Sequence, residues 1–422
     1  MGWKDVGCNG STFFETPNID RLASQGMRFT DGYAACPVCS PTRASILTGR
    51  YPARLHLTDW LPGRTDRPSQ KLLRPKFRQY LPLEEMTIAK ALKPLGYVSA
   101  SIGKWHLGGP PYYPEHHGFD LNVGGTQGGS PPGGYFKFKT PTLTARNDQE
   151  YLTDRLTEEA EKFIDQNKDK PFFLYLAHYA VHIPLQAKKD IISKYQAKVK
   201  PGEEQNNPIY AAMVESVDQS VGRVMRKLDD LRIADRTVIF FTSDNGGLSV
   251  KEGPNTPSTS NAPLRAGKGY LYEGGIREPM IVRWPGMTKP GSVCNVPVSS
   301  IDFFPTILEM AGLPKQQVDG VSLVPLLKQT AGLKRDAIFW HYPHYSNQGG
   351  KPGGAVRKGD YKLIEFYEVG KLELYNLKED IGEKNDLAAK APEKVKEMQG
   401  MLNEWRQRVN AQMPTPNPEY KP

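Results

Sequence analysis

Apolar residues recur along this chain with two different periods. Residues 171–177 (Pro-Phe-Phe-Leu-Tyr-Leu-Ala) and 237–242 (Thr-Val-Ile-Phe-Phe-Thr) are short continuous apolar runs, the pattern of buried strands, and each ends in polar sequence. His178 and His182 follow the first run, and Ser243-Asp-Asn-Gly-Gly247 follows the second. Residues 152–166 and 209–231 are spaced as helices; in the latter Ala212, Val214, Val217, Val221, Val224 and Leu228 recur at helical spacing. Strands alternating with helices predict an α/β fold with a large, mostly parallel sheet flanked by helices. Active residues in such sheets sit on loops beyond the carboxyl ends of the strands, where the His182 and Asp244 segments fall.

Two stretches break this alternation. Gly and Pro crowd residues 108–141, which predicts a long irregular loop. After Leu327 short aromatic-rich runs at 337–342, 355–357, 361–367 and 371–375 predict a small antiparallel sheet, with a helix over 392–409 packed on it and an extended tail from Pro414. The expected division is 1–333 for a catalytic domain and 334–422 for a C-terminal α+β subdomain. No internal repeat is present.

Composition narrows the picture modestly. The 422 residues include 55 Lys and Arg against 46 Asp and Glu, a formal charge of +9 that favours anionic ligands. The basic residues are interleaved with acidic ones, so nucleic acid is not an expected partner. Four cysteines, Cys8, Cys36, Cys39 and Cys294, are too few for a disulfide framework. No apolar stretch is long enough to span a bilayer, and the N-terminus lacks a secretory signal pattern.

The most specific segment is Cys39-Ser-Pro-Thr-Arg-Ala-Ser-Ile-Leu-Thr-Gly-Arg50. Pro41 suits the first turn of a helix and Gly49 its end, which places Cys39 at a helix N-terminus, a position that favours anions and activates a thiol. Arg43, one turn in, would pair with an anionic substrate or stabilise charge on the nucleophile. Taken alone, Cys36-Pro-Val-Cys39 reads as readily as a redox or metal motif as it does as a structural pair. Gly103-Lys-Trp-His-Leu-Gly108 puts Lys104 and His106 on one side of an extended segment, a cation beside a proton carrier. Asp244 and Asn245 offer hard oxygen ligands at a strand end.

Cys-x-Pro-x-Arg followed by Leu-Thr-Gly-Arg, together with Gly-Lys-Trp-His, resembles the signature of the type I, formylglycine-dependent sulfatases, and most closely bacterial polysaccharide sulfatases. The resemblance covers nearly the whole chain, including 357–363 and 373–379. It implies an alkaline-phosphatase-like α/β sandwich and a sulfuric ester hydrolase in which a maturase oxidises Cys39 to formylglycine. It assigns Lys104 and Lys268 to the sulfate, His106 to the formylglycine and His182 to the leaving alcohol as general acid, with His178 structural. It also implies Ca2+ held by Asp244, Asn245 and the modified Cys39. A sulfated glycan is the implied substrate, with exo-acting removal of sulfate from a galactose-type sugar favoured, and His56, Asp59, Trp60, Arg64, His116, His117, Arg265 and His344 are candidates for contacting it.

One departure stands out: the family's first strand and the two aspartates that end it are not found ahead of Gly2-Trp-Lys-Asp5, so half of the implied metal site and one strand of the sheet are expected to be missing. Asp5 lies several residues beyond the expected ligand position. The alternatives are a phosphate or phosphonate ester hydrolase of the same fold, or a non-catalytic relative that binds sulfated glycan. Relatives act outside the cytoplasm, which makes a periplasmic or secreted location the expectation.

Overall fold

The computed structural model describes residues 1–421. Seven strands form the central layer, in chain order β1 (Met27–Phe29), β2 (Val98–Gly103), β3 (Leu121–Val123), β4 (Phe172–Ala177), β5 (Ile239–Phe241), β6 (Met280–Arg283) and β7 (Ser292–Cys294). β2 pairs in parallel with β3 on one side and β4 on the other, Ala100 lying opposite Leu121 and Leu174. The remaining strands run in the order β5-β6-β1-β7. Here β6 is antiparallel to both β5 and β1, while β1 and β7 are parallel. The expected single, mostly parallel sheet is therefore two pieces, one parallel and one mixed. The physical reason for the reversal at β6 is its connection: parallel neighbours need a crossover, usually a helix, and between β5 and β6 there is only one helical turn, Glu273–Ile276.

Three helices organise the site and the core: α1 (Cys39–Thr48), α2 (Leu152–Gln166) and α3 (Pro208–Asp230). α3 starts one residue earlier than the apolar spacing predicts, because Asn207 accepts from the backbone of Ile209 and Tyr210 and Pro208 takes the first helical position. The main core packs Leu152, Leu156, Ala160 and Phe163 of α2 and Tyr210 to Val214 of α3 against Ala100 and Ile102 of β2. The segment expected as irregular loop contains two short helical turns, Pro110–Tyr112 and Pro114–His117, and strand β3. Its three-residue run, Leu121-Asn-Val123, is too short for a period to be read.

The C-terminal sheet, β8 (Ile338–Tyr342), β9 (Gly353–Lys358), β10 (Tyr361–Phe366) and β11 (Lys371–Asn376), is an antiparallel meander. Helix α4 (Pro392–Arg408) covers it, with Trp405 stacked on Phe339 at 5.1 Å. The extended tail pairs at Thr415–Pro416 with Leu72–Leu73. A fully buried ionic cluster fixes this sheet to the central layer: the Lys362 ammonium lies 2.9 Å from both Glu273 and Glu383, and Arg277 holds Glu273 at 2.7 Å and Asp31 at 3.0 Å. Because Glu273 and Arg277 belong to the segment that begins at Lys268, this cluster holds that lysine's loop in place. Removing one partner of such a cluster strands a buried charge.

Candidate active site

The site forms where α1 meets the carboxyl ends of β2, β4 and β5. Val38 is extended, α1 begins at Cys39, and Gly49 closes it in a left-handed conformation with φ 69°, as Pro41 and Gly49 predict. Cys39 is buried at the positive end of this helix, with Sγ 3.4 Å from His106 Nδ1. Burial pushes its thiol up, but Lys104, His106 and Lys268 outweigh that and bring it down to about 5. Cys36 has no such neighbours; burial pushes its thiol well up, and all four cysteines are free.

β2 delivers Lys104 and His106. The Lys104 amide donates to the Ala177 carbonyl at the end of β4, and the His106 amide donates to Thr126. His106 Nε2 is 2.7 Å from the Leu61 carbonyl, so Nε2–H donates there and Nδ1 presents its lone pair to position 39. Gly129 lies against this ring; a Cβ there would come within 2.6 Å of His106 Cε1. Arg43 is engaged within the protein: its Nε donates to Asp244 at 2.7 Å and an Nη donates to the Lys104 carbonyl at 2.6 Å. It ties α1 to β2 and β5. Burial opposes ionisation of Asp244, yet Arg43 and Lys104 hold its carboxyl far below the usual carboxylate range.

Lys268 and His182 close the other side. Lys268 Nζ donates to His182 Nε2 at 3.0 Å, which leaves Nδ1–H to donate to the Ile183 carbonyl at 2.8 Å. Burial first, then Lys268 and Lys104, hold His182 well below its ordinary pKa, so it is neutral in the free protein. His178 points away and bonds Ser220 on α3 at 2.9 Å. Burial holds it down to about 4, in keeping with a structural histidine.

The residues expected to contact a sugar are scattered. Asp59, His117 and His344 are each at most 1 % exposed. Asp59 accepts from Tyr342 and from the Trp60 amide, His344 bonds Thr58, and His117 packs on Trp105. These three are held by hydrogen bonds and packing inside the protein. Arg265 is spread over the Tyr272 ring at 3.8 Å and bonds the Tyr375 hydroxyl, and His56 bonds the Asn410 carbonyl, so both belong to the seam with the C-terminal sheet. Arg64 donates to the Ser346 carbonyl, Trp60 is half-buried, and His116 is exposed. The Leu61 carbonyl, Gly129 and Ser130, whose Oγ is 3.3 Å from His182 Nδ1, were not anticipated. A carbonyl and a glycine carry no sequence signal for such roles.

Asp59 gives a stability prediction. Burial raises its carboxyl from 3.8 to about 7, so between those values the folded state binds a proton that the unfolded state does not. Stability therefore falls as pH rises through this window. Asp59→Asn, which keeps both acceptor contacts, is expected to raise the melting temperature at pH 8 and to leave it unchanged at pH 4, read by calorimetry. An equal effect at both values would contradict this assignment.

Calcium needs six to eight oxygen ligands. Asn245 Oδ1 is buried without a hydrogen-bond partner, as a ligand in waiting would be, but one Asp244 oxygen is taken by Arg43. No group of three or more His, Cys, Asp or Glu among the described residues is arranged to hold a metal. The side chains present do not by themselves fit a calcium ion.

A sulfatase family model matches residues 1–313. The chain belongs to the sulfatase family. A second family model, described as the C-terminal part of N-sulphoglucosamine sulphohydrolase, matches residues 266–412. The chain is 32% identical to a sulfatase of Formosa agariphila, covering 97% of this chain and 88% of that protein. It is 37% identical to N-acetylgalactosamine-6-sulfatase of Canis lupus familiaris, covering 86% and 69%. Among solved structures it is similar to Ps i-CgsB in complex with k-i-k-neocarrahexaose, with a TM-score of 0.81 and 31% identity over 96% of this chain and 90% of that one. This sulfatase is a sulfuric ester hydrolase with the alkaline-phosphatase-like fold. No helix among its described residues is long and apolar enough to cross a membrane.

Proposed function

We propose that this protein removes sulfate from a sulfated carbohydrate, with its nucleophile derived from Cys39 by oxidation to formylglycine. The observation that carries this reading is the setting of Cys39: a buried helix N-terminus with two lysines and a histidine lone pair directed at one side chain. In the hydrated form, formylglycine supplies an oxygen nucleophile for attack on sulfur. Lys104 and Lys268 neutralise sulfate oxygens from two sides, in a site dry enough for each charge to count. His106 Nδ1 accepts the proton of the attacking hydroxyl because its other nitrogen is committed to Leu61. His182 hands a proton to the departing sugar oxygen. It is neutral in the free protein, and an anionic sulfate bound beside it favours uptake of that proton from solvent while Lys268 keeps its charge.

The names of the relatives support a glycan substrate, and N-acetylgalactosamine-6-sulfatase among them supports a galactose-type sugar; exo-acting removal of its sulfate belongs to the same proposal. Trp60, Arg64 and His116 are the contact candidates that packing leaves accessible. Maturation by a formylglycine-generating enzyme and action in the periplasm or after secretion belong to the same reading. The test is turnover of an aryl sulfate against the matching aryl phosphonate, followed by sulfate release from sulfated galactosides. Sulfate turnover at least about tenfold faster is expected. Faster phosphonate cleavage would overturn the reading, and tight glycan binding without sulfate release would point to the non-catalytic alternative.

A further inference from the structure

A stacked aromatic pair stands at the rim of the site, outside the reaction described above. The Tyr80 and Tyr112 rings lie face to face, 3.8 Å between centroids and 8° between planes, and both residues are half-buried. Neither belongs to any apolar cluster among the described residues, so packing of the core does not account for the pair. Gly108 makes it possible: a Cβ there would meet Tyr80 Cβ at 2.7 Å and Tyr112 Cβ at 2.8 Å, and its φ is 122°. The path from the rings to the reacting groups is short. A Cβ on Gly109 would meet Oε1 of the exposed Gln127 at 2.7 Å, Gly129 lies against the His106 ring, and the exposed Ser130 reaches His182. A strip of glycine backbone and polar side chains thus runs from the general acid to the two tyrosines.

The segment that delivers Tyr80 carries a second feature. It leaves the rim at Leu61, whose carbonyl meets His106, and returns at Leu81, whose amide donates to the Leu107 carbonyl at 2.9 Å. Between these points stand Arg64, Arg67, Lys71, Arg74, Lys76 and Arg78 against Asp66 alone, where elsewhere the charges are interleaved. Arg64 is held by the Ser346 carbonyl, Arg74 pairs with Asp66, and Arg78 pairs with Glu84. Arg67 and Lys76 are exposed and enter no ion pair among the described residues.

We infer that the Tyr80–Tyr112 pair and the basic segment ahead of it form a remote subsite for a sulfated glycan, taking a sugar further along the chain than the one that loses its sulfate. The inference rests on the glycan reading proposed above and deepens it: the substrate is an oligosaccharide or polymer bearing several sulfates, not a single sulfated sugar. A pyranose ring offers C–H groups on its face and hydroxyls at its edge, and a tyrosine offers an apolar face with a polar tip, so the two match. Arg67 and Lys76 supply the charge that a further sulfate needs, and a rim of one sign raises the local concentration of a polyanion. The glycine strip presents backbone without side chains, which leaves room for the sugars between the two subsites.

The experiment measures binding by calorimetry in the Cys39→Ala protein, which does not consume its ligand, with a disaccharide and a hexasaccharide of a sulfated galactan as probes. The readout is the ratio of the two affinities within each protein, because partial misfolding lowers both together. The parent is expected to bind the hexasaccharide about tenfold or more tighter than the disaccharide. Tyr80→Ala combined with Tyr112→Ala is expected to lower that ratio about fivefold, and Arg67→Gln combined with Lys76→Gln to flatten the fall of hexasaccharide affinity with added salt. A ratio near one in the parent, a ratio that the tyrosine substitutions leave in place, or a salt dependence that the charge substitutions leave as it was overturns the inference and lets the glycan reading stand. Failure of both probes to bind, in a chain whose Cys39 form hydrolyses an aryl sulfate, overturns the inference and the glycan reading together.

Discussion

Cys39→Ala is expected to lower sulfate ester turnover by about 10⁴-fold or more while leaving the fold intact, since removing a nucleophile leaves only what binding and charge neutralisation contribute. The substitution takes one sulfur from a buried position whose backbone begins α1, and alanine is compatible with a first helical residue. Unchanged thermal unfolding should therefore accompany the loss. Cys36→Ala is the companion measurement. Its thiol is buried near the Thr58 carbonyl and held protonated, so its removal should leave activity within a few-fold of the parent. Equal losses in the two variants would restore the redox reading of the Cys-x-x-Cys pair. Mass analysis of the peptide carrying position 39 should show an aldehyde in active protein and a thiol in inactive protein.

Lys104→Met is expected to cost about 10²–10³ in kcat/KM, the effect of removing one preorganised charge from a buried site. Lys104 is 2 % exposed, lies 4.0 Å from Asp244, and contributes to holding the Cys39 thiol down. Methionine keeps the stem's volume, so the loss measures charge more than packing. Lys104→Arg should not rescue activity, because a planar guanidinium cannot occupy the place of a compact ammonium between Arg43 and Cys39. Rescue by arginine, or a full-activity methionine variant, would remove Lys104 from the sulfate site.

Much of this was legible along the chain. The α2 helix, the two apolar runs of β4 and β5 and the C-terminal meander each follow from a hydrophobic period within one segment, and Pro41 and Gly49 mark the limits of α1. Lys104, His106, His182 and Lys268 were legible through the family resemblance of their motifs, Cys39 also through its place at a helix start, and the fold brings their side chains together.

What the sequence by itself determined, then, is the set of reactive groups and the local elements that carry them, because both depend on neighbours a few residues away. Only the tertiary structure decided how those groups are used. It turned Arg43 toward Asp244, fixed the tautomer of His106 through the Leu61 carbonyl, and buried Asp59, His117 and His344. It also reversed β6 and left β4 and β5 unpaired to each other. Each of these depends on partners far away in sequence, and long-range packing and backbone pairing leave no periodic trace in the segments they join.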